Sequence, residues 1–255
     1  MKNTIKKWVF KSFNNITDIK FNIKDLDTEL FRDTFDNAVI RKKQYWEREK
    51  EKRPSLGAII RVKNGADYLY LSLCSIADLC NEIVVIDNGS TDETIEIVEK
   101  FSSNIKALNK NLKISVYDYP IKTCRAGEGY SNCVQKNPEG SLARFYTYAF
   151  SLSECDYLMK FDAHYMLIPK FISVINQKLK RKPERIRLNI RDIYGRHHGF
   201  EPLIFKNNEF WYEDIEYFET IKFKKDIPLR HFFDNTILSP SVIHVKRLGY
   251  LEGKK

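Results

Sequence analysis

The chain has 255 residues and a mass of 30.2 kDa, is 43% hydrophobic and 30% charged, and so holds enough apolar sequence for one large domain or two small ones; a wholly disordered chain is excluded. No apolar run reaches the roughly 20 residues that span a bilayer, and Met1 to Phe10 lacks the apolar stretch of a secretory signal, so a cytoplasmic protein is expected. Five cysteines (Cys74, Cys80, Cys124, Cys133, Cys155), odd in number and without a Cys-x-x-Cys, predict free buried thiols rather than a disulfide framework or a zinc site.

The net charge of +9 raises the question of nucleic acid, whose affinity is dominated by phosphate neutralisation. The charge is unevenly placed. Residues 1–55 hold 14 basic and 9 acidic side chains, 56–160 hold 11 and 13, and 161–255 hold 18 and 12. The surplus sits at the two ends and the middle is slightly acidic, which argues against a uniform basic face on a duplex.

Residues 1–53 read as a helical arm, with Phe31, Phe35, Val39 and Trp46 at roughly helical spacing, and Pro54 marks a boundary to a domain over 54–255. Near its start, Lys6, Lys7 and Lys11 surround Trp8, Val9, Phe10 and Phe13. That pattern suits either contact with an anionic membrane at its inner face or an arm packed on the domain. From Leu56 the pattern changes. Strands are predicted over 58–62, 82–87, 113–117 and 156–161, with helices over 66–80, 91–101 and 141–152 between them. Lys122 to Pro138 reads as a loop that could order over a ligand. Apolar strands alternating with helices predict an α/β domain with a mainly parallel sheet, whose ligands bind beyond the carboxyl ends of the strands.

Two segments carry chemistry. In Glu82-Ile-Val-Val-Ile-Asp87 a buried strand ends in a carboxylate, turns through Asn88 and Gly89, and restarts as a helix capped by Ser90 or Thr91. Backbone N–H groups at such a helix start favour polar or anionic ligands. In Asp156 to Tyr165 a strand runs into Asp162-Ala163-His164, where extended residues two apart project to the same side. A carboxylate and an imidazole so placed suit a divalent ion that also binds phosphate oxygens.

Together these motifs make the stretch from Leu56 to Lys170 resemble the nucleotide-binding half of the family 2 glycosyltransferases, which have the GT-A fold. The resemblance runs through Ala58 to Leu69, Val84-Val-Ile-Asp-Asn-Gly-Ser-Thr-Asp92, the Ala143-Arg144 pair and the strand ending in Asp162-Ala-His164. It implies an inverting transferase using a nucleotide-sugar, with a UDP-sugar first among donors and a glycan or glycolipid of surface polysaccharide synthesis, such as lipopolysaccharide or capsule, as acceptor. The same resemblance puts Val62, Asn64, Asp87, Asn88, Arg144 and Asp162 in the nucleotide-sugar site, with Asp87 or Asn88 on base and ribose and Arg144 on the diphosphate. Asp162 and His164 would hold Mn2+ or Mg2+, with His244 a further ligand. The chain departs from the family where Asn88 replaces a second acid and where His164 replaces the second acid of Asp-x-Asp.

An inverting reaction also needs a base for the acceptor hydroxyl. The resemblance places it in an acidic pair at a helix start. Phe210 to Glu216 fits, with Asp214 favoured and Glu213 next. Trp211 or Tyr212 beside them suits either a sugar ring to stack on or a place in the buried core. Arg196-His197-His198 reads as a solvated turn. The rival readings are an inactive GT-A relative and a basic membrane- or nucleic-acid-binding module; nucleic acid is not expected as a partner.

Overall fold

The computed structural model describes residues 43–108 and 111–246, with side chains described from Glu47. The expected arm residues Phe31, Phe35 and Val39, the basic apolar stretch Lys6 to Phe13 and the Trp46 side chain lie outside the described residues. The first element is helix α1 (Lys43–Glu51). Then β1 (Leu56–Val62), α2 (Leu69–Ala77), β2 (Glu82–Asp87), α3 (Thr94–Leu108) and β3 (Lys113–Asp118) alternate as the sequence predicts. Next come α4 (Tyr130–Lys136), α5 (Leu142–Ser151), β4 (Tyr157–Lys160), β5 (Tyr165–Leu167) and α6 (Phe171–Lys180). The chain continues through β6 (Arg185–Asp192), β7 (His197–Lys206), β8 (Phe210–Asp214), β9 (Glu219–Phe223), α7 (Leu229–Asp234) and β10 (Thr236–His244).

The strands form an eight-stranded sheet in the order β3-β2-β1-β4-β7-β6-β10-β5, and β8 and β9 make a separate hairpin. β1 to β4 are mutually parallel, as are β6 and β10, while β5 and β7 pair antiparallel to their neighbours. The carboxyl ends of β1, β2, β4, β6 and β10 therefore lie along one edge, and the start of β7 joins them there.

Alternation divides the core in two. Ile60, Val62, Ile83, Val85 and Met159 pack in one cluster with Val98 and Phe101 of α3 and Ile175 and Leu179 of α6. Ile59, Val84, Ile86 and Leu158 pack in another with Phe145, Tyr146 and Phe150 of α5, Phe205, and Tyr212 of the hairpin. Each fully buried aliphatic side chain here stabilises the fold by roughly 2 kcal/mol.

The residues just before β1 join this domain. Arg53 is buried and donates to Asn176 Oδ1 at 2.6 Å, Pro54 O at 2.8 Å and Asn81 Oδ1 at 3.0 Å, and also to Leu79 O. Lys50 donates to Ala77 O at 3.1 Å, and Glu49 pairs with Lys180 at 2.6 Å. The described end of the arm is thus packed on the domain.

Two sequence expectations are corrected. Cys124 and Cys133 form a disulfide with Cα atoms 6.0 Å apart, leaving Cys74, Cys80 and Cys155 free. Their separation of nine residues matches no short motif, and it is the turn into α4 that brings them together. That helix also lies inside the segment predicted to be all loop.

Candidate active site

The two loops that leave β1 and β2 are stitched together. Asn64, with φ 54, accepts from Thr91 N at 2.8 Å through Oδ1 and donates its own N–H to Ser90 Oγ at 2.8 Å. Gly65 N donates to Thr94 Oγ1 at 2.8 Å and Ala66 N to Asp92 Oδ2 at 3.1 Å. Asp87 receives Ser90 N at 3.0 Å and Ser90 Oγ at 2.5 Å. Between them Gly89 has φ 74, a left-handed conformation that glycine adopts without a Cβ clash. Ser90 and Thr91 therefore tie the loops, and α3 starts later, at Thr94, with Asp92 accepting from Thr94 N at 3.1 Å.

Asn88 has the opposite character. It is 7% exposed, its amide donates to Tyr119 O and Ile121 O, each at 2.9 Å, and its carbonyl accepts from Thr123 Oγ1 at 2.9 Å. Asn88 N also occupies Val62 O at 2.9 Å. The side chain pins the segment after β3 to the end of β2. A second carboxylate here would lack the two donors that Tyr119 O and Ile121 O require.

At the same sheet edge, β4 ends before Asp162 and β5 begins at Tyr165, so the intervening turn projects His164 toward the end of β10. Tyr165 faces His244 across β5 and β10. Asp162 Oδ2 lies 3.7 Å from His164 Nε2, and the His164 and His244 rings are 4.3 Å apart. His244 Nδ1 is buried and has no hydrogen-bond partner among the described residues. Burial lowers His164 to about 4, against the pull of Asp162, and lowers His244 as well. Both imidazoles are thus neutral near pH 7 and keep a lone pair. Among the described residues no group of three His, Cys, Asp or Glu side chains is arranged as a complete metal cage. The donor chemistry of Asp162, His164 and His244, a carboxylate and two neutral imidazoles, nonetheless fits a divalent ion.

The structure corrects one reading, since His197 and His198 open strand β7 where a solvated turn was expected, and it adds Lys160 and Arg61, which the sequence did not single out. His198, at the start of β7, stacks on His244 with centroids 4.9 Å apart and lies 3.4 Å from Asp192 Oδ2. Asp192 also caps its own turn through Tyr194 N at 3.0 Å and Arg196 N at 2.8 Å. Lys160 Nζ bonds Glu219 at 3.0 Å and sits 4.2 Å above the Tyr146 ring, which keeps the ammonium charged despite the cost of burial. Arg61 lies 5.7 and 5.9 Å from the Phe145 and Tyr146 rings. A strand-borne His, Lys or Arg has no local signature. Only the order of strands shows that these converge.

Arg144 stands exposed in the first turn of α5, 3.6 Å from Glu139, with its backbone N–H capped by Ser141 Oγ at 3.0 Å. The acidic pair is where the sequence expectation fails. Glu213 and Asp214 end strand β8 and do not start a helix. Asp214 accepts from Ser141 Oγ at 2.5 Å, Ala143 N at 3.1 Å and Tyr130 Oη, and so satisfies the N-terminus of α5, a neighbouring helix. Glu213 accepts from Trp211 Nε1 at 2.6 Å. Trp211 is exposed, whereas Tyr212 is buried and stacks on Tyr146 at 5.0 Å, a core role.

Fold and site together define a Rossmann-like α/β domain with its polar residues gathered at the carboxyl edge of the sheet. Residues 58–118 match the family model described as Glycosyl transferase family 2, so this stretch, which holds β1 to β3, carries that family's pattern. No curated protein matches the chain. Similar solved structures include S. aureus TarS 1-349, at 14% identity and TM-score 0.48, covering 78% of this chain and 62% of that one. Glucosyl-3-phosphoglycerate synthase from Mycobacterium tuberculosis, in complex with Mn2+, UDP and glucosyl-3-phosphoglycerate, is similar at 19% identity and TM-score 0.34, covering 58% and 46%. A mannosyltransferase from Pyrobaculum calidifontis, in complex with GDP-Man and Mn2+, has 14% identity and TM-score 0.34, covering 62% and 46%. The chain therefore spans less than two thirds of the length of each of these structures.

Proposed function

We propose that the protein is an inverting glycosyltransferase that moves a sugar from a nucleoside-diphosphate donor, a UDP-sugar first among them, to a glycan or glycolipid acceptor. The observation that carries this reading is the meeting of Asp162, His164 and His244 at the sheet edge that also receives the family 2 segment's Asp87. Asp162, His164 and His244 would hold Mn2+ or Mg2+, which when bound supplies positive charge to the donor diphosphate. The stitched loops of Asn64 and Asp87 form the floor for base and ribose. Exposed Arg144 and half-buried Arg61 add fixed positive charge for the departing nucleoside diphosphate.

An acceptor of surface polysaccharide synthesis accords with the positive charge at both ends of the chain, which suits an anionic glycan or the inner face of an anionic membrane. Among the described residues no helix is long and apolar enough to cross a membrane. The test is thermal stabilisation and nucleoside diphosphate release with UDP-glucose, UDP-galactose, UDP-N-acetylglucosamine and GDP-mannose, each with and without Mn2+. Metal-dependent stabilisation by at least one donor is expected. No stabilisation by any of them would overturn the reading.

A further inference from the structure

The site described so far has metal-ligand candidates and positive charge, but its expected base, Asp214, is engaged by three donors, Ser141 Oγ and Ala143 N at the start of α5 and Tyr130 Oη of α4. Another carboxylate lies at the same edge. β4 and β7 pair antiparallel with Tyr157 opposite Lys206, Leu158 opposite Phe205 and Met159 opposite Ile204. Continuing that register toward the carboxyl end of β4 sets Glu201 opposite Asp162. Pairing stops short of that point, and Pro202, which has no N–H to give to a ladder, stands beside it. The two strands are thus free to part where Asp162 turns away.

Glu201 is half-buried, and among the described residues its carboxylate makes no hydrogen bond or ion pair. The charged groups acting on it are Asp162, Lys160, His198 and Glu219. Asp162 belongs to the metal-ligand set, Lys160 is held by Glu219, and His198 is stacked on His244. Glu213 is partnered by Trp211, and Asp192 by the β6–β7 turn. Glu201 is therefore the carboxylate of this cluster whose oxygens are left for a ligand.

We propose that Glu201 is the catalytic base that takes the proton of the acceptor hydroxyl, an inference that rests on the glycosyl-transfer reading above. The acceptor oxygen forms a bond to the anomeric carbon. The bond from that carbon to the diphosphate oxygen breaks and its electron pair leaves with the nucleoside diphosphate. The hydroxyl proton passes to a Glu201 oxygen.

The experiment uses the full chain with Mn2+ and the four nucleotide-sugars named above, water serving as acceptor. Nucleoside diphosphate release gives kcat, and calorimetry gives donor affinity. Glu201→Gln is expected to bind donor within about twofold of the unmodified protein while kcat falls by about 100-fold or more. Glu201→Ala with added formate is expected to recover part of the lost rate, which a merely structural loss would not do. Turnover of Glu201→Gln within about threefold of the unmodified protein, or a loss traced wholly to donor affinity, would overturn the assignment. Failure of the unmodified protein to bind any donor overturns the glycosyl-transfer reading itself, and that arm separates the two failures.

Discussion

Asp214, the last residue of β8, accepts a hydrogen bond from Ser141 Oγ at 2.5 Å, and Ser141 in turn caps Arg144 N at the start of α5. The hairpin is thereby locked to the helix whose other residues, Tyr146 and Phe150, pack on the sheet beneath the site. Asp214→Ala leaves Ala143 N without its acceptor and frees the Tyr130 hydroxyl. A loss of about 2 kcal/mol in urea denaturation is expected. An unchanged denaturation midpoint would remove Asp214 from this structural role.

Asp162→Ala is expected to abolish Mn2+-dependent donor turnover while the far-UV circular dichroism stays unchanged, because the carboxylate lies past a strand end, where its described side-chain partner is His164 at 3.7 Å. His244→Ala is expected to weaken Mn2+ binding by at least about tenfold, measured by calorimetry in the presence of UDP. Undiminished metal affinity in both variants would place the ion elsewhere.

The Cys124–Cys133 disulfide closes a short loop beside Thr123, the partner of Asn88. By chain entropy, a crosslink of this span stabilises by about 2.5 kcal/mol. Denaturation with and without dithiothreitol reads this directly, and Cys124→Ser should match the reduced protein. Equal stability of oxidised and reduced forms would contradict the crosslink.

Arg53, two residues after α1, ties the chain before β1 to α6 through Asn176 and to the α2–β2 connection through Asn81 and Leu79 O. Arg53→Ala removes the donor to Asn176 Oδ1 and Leu79 O, while Asn81 Oδ1 keeps Leu56 N at 3.0 Å, and is expected to cost about 3 kcal/mol, read by urea denaturation. A cost under about 1 kcal/mol would show that residues before Pro54 are independent of the domain.

Asp156 accepts from Ser55 N at 2.8 Å and Ser55 Oγ at 2.7 Å, and these bonds hold its carboxyl below the ordinary value. Because the folded value is depressed, the stabilisation is fully present above roughly pH 4 and is lost as pH falls through the folded value. The unmodified protein is therefore expected to lose stability more steeply than Asp156→Asn in acid. Parallel pH–stability curves for the two would refute this.

β1 to β4 and the helices α2, α3 and α5 between them were legible because both the apolar runs and the turn chemistry are local, whereas α4 has too short an apolar pattern to read. Ile83 to Ile86 form an unbroken buried run, and Asp87 to Ser90 form their turn with neighbours in sequence. Asp162 and His164 were legible for the same reason. The acidic pair was not. Glu213 and Asp214 beside aromatics read equally as a helix start or a strand end, and only their partners on α5, some 70 residues earlier, decide the matter. Asp214 is separated from Ser141 by 73 residues.

By itself the sequence determined the alternating α/β order, the placement of positive charge at the chain ends, and the strand-end residues Asn64, Asp87, Asp162 and His164. Tertiary structure alone decided that β7 runs against β4, which carries Glu201 to the edge where β4 ends before Asp162 and brings His198 onto His244. It also decided that Asn88 and Asp214 serve the scaffold, because their lone pairs and protons are taken by residues far away in the chain. Local pattern records which side chains are available at a strand end. Which of them remain free for a ligand depends on long-range pairing, and no window of sequence carries that information.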